Sequence, residues 1–132
     1  MMSPKPHRCT ALEGVRNVLR ALAVAACVHA GAAHAHAFLE RATPAVGASV
    51  HAAPPKVTLR FTQRLEAAFS KVQVLDGQGK RVDKDDGALG ADETSLSVSV
   101  PALPPGRYVV KWRVLSVDTH VTEGDFAFQV QP

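Results

Sequence analysis

Two side chains able to bind a metal ion, Asp118 and His120, lie two residues apart near the end of the sequence. If this segment is extended, successive side chains point to opposite faces, so both would project to one side and could share an ion. An imidazole and a carboxylate suit Cu(II), Zn(II) or Ni(II), but two groups are too few for a tight site. The alternative is a solvated turn, because polar residues are common in loops. A metal site therefore needs further ligands from elsewhere.

The start of the chain has the pattern of a secretory signal peptide. An apolar run over residues 21–28 follows a basic region and precedes the small-x-small sequence Ala33-His34-Ala35. Cleavage after Ala35 would remove residues 1–35 and leave residues 36–132 as the mature domain, with His36 at its N-terminus. The apolar run is shorter than the roughly 20 residues of a transmembrane helix. We therefore expect an exported protein whose first residue is a histidine.

A lipoprotein leader is the competing interpretation of this region. The sequence Val24-Ala25-Ala26-Cys27 resembles a lipoprotein cleavage box, and lipidation of Cys27 would leave His36 internal, without a free amine. However, only six apolar residues separate Arg20 from Cys27, which is short for the apolar region of a leader. We therefore favour cleavage after Ala35.

Removal of the leader changes the charge and cysteine content. The full chain has 15 basic and 12 acidic residues. The leader holds four of the basic residues and one of the acidic ones, so the mature domain has eleven of each. Both cysteines, Cys9 and Cys27, lie in the leader, so no disulfide is expected in the mature domain. The near-zero charge gives no reason to expect a nucleic acid partner.

Short alternating segments, separated by Gly- and Pro-containing turns, predict an all-β fold without a helix of note. Six to seven such strands indicate a small Greek-key β-barrel or β-sandwich of the immunoglobulin or cupredoxin kind. The aromatic residues at strand period are expected in its core rather than in a ligand site. Asp118 and His120 follow the longest strand, in the connection to the last one. The predicted strands are 36–43, 56–62, 69–75, 94–100, 107–116 and 124–130, with a possible edge strand at 80–84.

The mature region resembles the copper resistance protein C (CopC) family of periplasmic copper-binding proteins. The resemblance covers essentially all of residues 36–132, and a mature N-terminal histidine together with the late S-x-D-x-H segment makes it specific. The matching segments are His36-Ala37-Phe38-Leu39, Thr43 to Gly47, Val57 to Phe61, Leu103 to His120 and Gly124 to Phe128.

This resemblance implies a seven-stranded β-barrel or sandwich and a Cu(II) site made by His36, Asp118 and His120. Some members of the family add a Met-rich Cu(I) site. Met1 and Met2 are the only methionines here and belong to the leader, so we expect Cu(II) alone, one ion per mature chain. The resemblance also implies a role in copper homeostasis and resistance, and possible delivery to a CopD-like inner-membrane protein. We expect a monomer.

These residue types suit Cu(II). A free N-terminal histidine offers its α-amine and Nδ1, which close one chelate ring, while His120 adds a nitrogen and Asp118 an oxygen. Three nitrogens and one oxygen in a tetragonal plane are what Cu(II) prefers. Because these ligands must lose protons, affinity should fall below about pH 6.5. His51 lies in a Pro-rich linker and is interpreted as a surface residue.

Two other functions remain as alternatives. One is a copper enzyme of the histidine-brace kind, which needs an open position for oxygen that Asp118 would fill. The other is an immunoglobulin-like binding module without metal. We expect a carrier or buffer of Cu(II), and not an enzyme.

Overall fold

The computed structural model describes residues 37–132, and its regular structure is β-strand apart from a single 3-10 turn at Ala67–Phe69. Eight strands are present, of which β2 and β5 have only two residues each. Their bounds are β1 Leu39–Thr43, β2 Ser49–Val50, β3 Lys56–Phe61, β4 Lys71–Leu75, β5 Ala88–Leu89, β6 Ser95–Ser99, β7 Gly106–Leu115 and β8 Val121–Val130.

The strands form two four-stranded sheets that face each other. One sheet has the order β1-β3-β6-β5 and the other the order β2-β8-β7-β4. Neighbouring strands are antiparallel except for β2, which lies parallel to the end of β8. The two longest strands, β7 and β8, pair over their full length, from Gly106 opposite Val130 to Leu115 opposite Val121. This long ribbon ends at the connection that carries Asp118 and His120.

The core lies between the sheets and is built from alternate residues of the strands. On β6 the apolar side chains of Leu96 and Val98 are buried while the serines between them are partly exposed. Phe61 and Phe128 are almost completely buried, and the edge of the Phe61 ring meets Trp112 with centroids 5.1 Å apart. Such alternation places one face of each strand on the core, as expected for a sandwich.

Gly124 makes room for the ring of Trp112. These two residues are opposite each other on β7 and β8, and a Cβ atom at Gly124 would lie 2.7 Å from the Trp112 ring. Any larger residue would therefore displace the indole, which packs beside Phe61 near the Asp118 end of the sheets.

The all-β prediction is confirmed, and of the barrel and sandwich alternatives the structure is the sandwich. The alternating strands appear within three residues of their predicted ends. The possible edge strand at 80–84 is wrong, because Arg81 makes only an isolated bridge to Leu75. The Asp83 side chain instead folds inward and accepts a hydrogen bond from Val74 N. Within residues 37–132, no helix is long and apolar enough to cross a membrane.

Candidate metal centre

Asp118 and His120 lie in the tight turn that joins β7 to β8. The turn is closed by two backbone hydrogen bonds, from Ser116 N to His120 O at 3.0 Å and from Thr119 N to Ser116 O at 2.9 Å. Thr119 has a left-handed backbone, with φ 72°, a conformation that is uncommon for a β-branched residue. The extended geometry considered from the sequence is therefore wrong, and a turn, not strand alternation, brings the two side chains together.

The carboxylate of Asp118 and the imidazole of His120 meet at the surface. Asp118 Oδ2 lies 3.4 Å from His120 Nδ1, and the side chains are 34% and 44% exposed. Two donors at right angles around a metal with bonds of about 2.0 Å are about 2.8 Å apart. The pair therefore needs to close by only about half an ångström to share one ion, and its exposure leaves a path for that ion.

A hydrogen bond from Ser116 holds the Asp118 carboxylate in place. This serine is completely buried, and its hydroxyl donates to Asp118 Oδ1 and lies 3.1 Å from His120 O. The Ser116 hydrogen bond is the main cause that lowers the pKa of Asp118, and His120 lowers it further. The carboxylate therefore stays ionised and turns its second oxygen toward the imidazole.

A neighbouring segment supports the turn from its other side. Val117 N donates to Arg64 O at 3.0 Å, and Leu65 forms an isolated bridge with Ser116. Leu65 is buried in the core, so the turn rests on a rigid part of the sandwich. Such a scaffold positions exposed ligands with little loss of order on binding.

The beginning of the described chain lies beside the same turn. Ala37 is completely buried, and its carbonyl accepts a hydrogen bond from Thr122 Oγ1 at 2.8 Å. Phe38 is bound in turn to Thr62, which accepts from Phe38 N and donates its own N–H to Phe38 O, each at 3.0 Å. The backbone just after residue 36 is therefore held at Thr122, two residues along the chain from His120.

The predicted ligands are only partly within the described chain. His36 lies outside it, so its place in the site stays a prediction. Among residues 37–132 no group of three or more His, Cys, Asp or Glu side chains is arranged so that it could hold a metal ion. His51 is exposed and follows Val50, which pairs with Val130 at the far end of β8, about 30 Å along the strand from the Asp118 turn.

Sequence reasoning missed two residues that shape this site. Ser116 was visible as the residue two positions before Asp118, and a serine so placed can hydrogen-bond the carboxylate and the turn backbone. Thr122 gave no signal, because its contact with Ala37 joins residues 85 positions apart. Only the three-dimensional structure reveals such a contact.

Comparison with known proteins decides the family. Residues 39–131 match the model of the CopC domain. This chain belongs to the CopC family. It is 36% identical over 100 residues to Protein YobA of Escherichia coli K12, covering 74% of this chain and 80% of the relative. It is 34% identical over 106 residues to copper resistance protein C of Pseudomonas syringae pv. tomato, covering 75% and 83%.

A longer relative and a solved structure complete the comparison. The CopC-like region is 28% identical over 98 residues to the copper transport protein CutJ of Bacillus subtilis, covering 73% of this chain but 18% of CutJ. The crystal structure of CopC from Methylosinus trichosporium OB3b superposes with a TM-score of 0.65 at 42% identity, covering 74% and 95% of the two chains. The sandwich is therefore the CopC fold.

Proposed function

We propose that this CopC-family protein is a periplasmic carrier or buffer of Cu(II), which binds one copper ion as cargo. The ligands are the α-amine and imidazole of His36, made N-terminal by removal of residues 1–35, together with Asp118 and His120. The observation that carries the proposal is the 2.8 Å hydrogen bond from Thr122 Oγ1 to Ala37 O.

This hydrogen bond supports the proposal because it fixes the backbone next to His36. Ala37 is buried and bonded directly to His36, so anchoring the Ala37 carbonyl beside Thr122 fixes the point from which His36 starts. Thr122 is two residues from His120, and Asp118 Oδ2 faces His120 Nδ1 at 3.4 Å. A chelating N-terminal residue that begins here has a short path to both side chains.

The donor set favours Cu(II) over other ions. Nitrogen and carboxylate oxygen ligands in a plane suit Cu(II), and Cu(II) leads the affinity order of the divalent first-row metals. A soft Cu(I) site would need thiolate or thioether ligands, and residues 36–132 contain neither Cys nor Met. Residues 36–132 therefore offer no soft donor set for Cu(I).

A carrier needs a partner that takes the ion. Relatives named as copper resistance and copper transport proteins support a binding and transfer role rather than an enzymatic one. In CutJ the CopC-like region makes up 18% of a copper transport protein, which supports a CopD-like or similar transport protein as the acceptor. We propose that the protein itself acts as a monomer.

Competition titration with a chromogenic Cu(II) chelator tests the proposal. The chain of residues 36–132 with a free amine is compared with the same chain acetylated at that amine. Acetylation removes one donor atom and its chelate ring. Loss of a partner that only supports a ligand typically lowers metal affinity about 10–100-fold. We therefore expect acetylation, which removes a ligand itself, to lower the Cu(II) affinity by more than about a hundredfold. His51→Ala serves as the matched control and should bind as the unchanged chain does. Equal affinity with and without the acetyl group would overturn the proposed site.

A further inference from the structure

Two threonine side chains, one from each sheet, hold the backbone of the first two described residues. Thr122 lies on β8, and its Oγ1 donates to Ala37 O at 2.8 Å. Thr62 follows the last residue of β3, and its Oγ1 accepts from Phe38 N at 3.0 Å. Since β3 and β8 belong to different sheets, this backbone is tied to both halves of the sandwich. We call Thr62 and Thr122 the threonine clamp.

The threonine clamp extends the hold on the chain beyond regular strand pairing. Strand β1 begins at Leu39, which lies opposite Phe61. One residue further, Thr62 donates its N–H to Phe38 O at 3.0 Å and accepts from Phe38 N through its side chain. The next carbonyl, that of Ala37, is bound by Thr122 from the other sheet. Two hydroxyl groups therefore continue the fixed backbone up to Ala37.

Burial makes the hydrogen bond to Ala37 costly to lose. Ala37 is completely buried, and a buried carbonyl without a partner costs free energy. The Thr122 hydroxyl supplies that partner from 85 positions away in the chain. Valine has nearly the shape of threonine but no hydroxyl. Replacing either threonine by valine therefore removes its side-chain hydrogen bond while keeping its volume.

Fixing residues 37 and 38 limits the freedom of the residue before them. Chain termini are usually poorly ordered unless they are tied down, and ordering free backbone costs conformational entropy. In the mature chain of the proposed function, on which this inference rests, only His36 lies beyond Ala37. When its amine and imidazole bind copper with Asp118 and His120, the backbone that carries them is already in place. Such preorganisation raises affinity, because less order must be gained on binding.

We propose that Thr62 and Thr122 are positioning residues for copper, which hold the N-terminal backbone ready before the ion arrives. Neither threonine is a ligand, and each acts through its hydrogen bond to residue 37 or 38. Their effect on copper affinity therefore depends on the ligands of His36. An effect of Thr122 that passed through its near neighbour His120 would not depend on them.

Hydrogen exchange in the metal-free chain of residues 36–132 is the first test. The Phe38 N–H should be protected in the unchanged chain, and Thr62→Val, which removes its acceptor, should speed its exchange about five- to tenfold. Thr58→Val, the same substitution between the buried Val57 and Leu59 of β3, is the matched control and should leave this exchange unchanged. Exchange of the Phe38 N–H as fast as in an unfolded chain would overturn the proposal, because the backbone would then not be held before copper binds.

Competition titration with Cu(II) is the second test. Thr122→Val should lower the affinity about 10–100-fold, the usual cost of losing a partner that supports a ligand. Thr122→Ser keeps the hydroxyl and should bind as the unchanged chain does, and so should Thr58→Val. The titration is repeated in a chain without either ligand of residue 36, made by His36→Ala and acetylation. There Thr122→Val should change the remaining affinity by less than about twofold, because the two effects are then uncoupled.

The outcomes separate the threonine clamp from the proposed function. Equal losses on Thr122→Val in both chains would mean that Thr122 acts through the Asp118 turn, and no loss in either would mean that it positions nothing. Either result overturns the positioning role while the unchanged chain still binds copper. If acetylation leaves the affinity of the unchanged chain intact, the proposed function fails, and slow exchange of the Phe38 N–H then shows a clamp that serves the fold alone.

Discussion

Two carboxylates of this domain are each held by hydrogen bonds in a loop, but they differ in what their oxygens face. The Asp83 side chain is completely buried, and its oxygens accept from Val74 N, Asp85 N and the Arg81 guanidinium at 2.8–2.9 Å. The Asp118 side chain is 34% exposed, with one oxygen bound by Ser116 and the other turned to His120. Both oxygens of Asp83 accept hydrogen bonds from the protein, whereas one oxygen of Asp118 faces the exposed imidazole of His120.

Hydrogen bonds lower the pKa values of both groups, although the donors differ. Burial raises the pKa of Asp83, and the hydrogen bonds from Arg81, Val74 N and Asp85 N outweigh burial and lower it. For Asp118 the hydroxyl of Ser116 is the main cause. A lowered pKa alone therefore does not distinguish a structural carboxylate from a proposed metal ligand, and the two carboxylates differ instead in what their oxygens face.

The largest expected effect separates the two carboxylates by copper binding. Asp118→Ala and His120→Ala each remove a ligand, so Cu(II) affinity should fall by more than about a hundredfold. His120 is 44% exposed, so His120→Ala should change the free energy of unfolding by less than about 0.5 kcal/mol. Asp118→Ala should destabilise the fold more, because it also removes an acceptor of the buried Ser116 hydroxyl. Competition titration and urea unfolding measure the two quantities. Unchanged Cu(II) affinity in either variant would remove that residue from the site.

Removing the support of Asp118 should have the next largest effect. Ser116→Ala deletes the hydroxyl that fixes one carboxylate oxygen, and loss of such an outer-shell partner typically costs about 10–100-fold in metal affinity. Because Asp118 would then turn more freely, the electron paramagnetic resonance spectrum of bound Cu(II) should also change. Ser97→Ala, on β6 away from the turn, is the control. An unchanged spectrum would show that Ser116 only stabilises the fold.

Replacing Asp83 should have the opposite effect: the fold should lose stability while copper binding stays unchanged. Asp83→Asn removes the charge that Arg81 and two backbone N–H groups bind, and hydrogen bonds to charged groups are worth about 1.5–3 kcal/mol. We expect a loss of this size in the free energy of unfolding, measured in urea, with Cu(II) affinity unchanged. If Asp83→Asn weakened copper binding as much as Asp118→Ala, the distinction between the two loops would fail.

These two loops also indicate how far the sequence alone can lead. Alternation such as Leu96, Val98 and Val100 predicted the long strands correctly, because one face of each strand must enter the core. The two-residue strands β2 and β5 are too short to give a periodic signal. From the sequence, residues 80–84 resembled an edge strand. The sequence does not indicate that the Asp83 carboxylate points inward, because the groups that donate hydrogen bonds to it are seen only in the structure.

The sequence could propose ligands for the candidate site but could not give the geometry of the Asp118–His120 pair. Asp118 and His120 could be paired by spacing, yet the left-handed Thr119 that brings them together is not a conformation its residue type suggests. The proposed contribution of His36 depends on cleavage after Ala35, and the proposed amine ligand would arise only after it. Such a ligand is chemical rather than conformational, and its presence can be tested only on the mature protein.

The smallest expected effect is the pH dependence of stability that Asp83 contributes. Its folded pKa is lowered below the unfolded value of about 3.9, so the folded state binds fewer protons than the unfolded state in this range. The contribution of Asp83 to stability is therefore fully present above about pH 4, and it is lost as the pH falls through the pKa of Asp83 in the folded state. Urea unfolding between about pH 2 and 5 should show a steeper decline for the unchanged chain than for Asp83→Asn. Parallel declines would mean that other carboxylates govern acid unfolding, and that Asp83 serves the fold by its shape and hydrogen bonds more than by its charge.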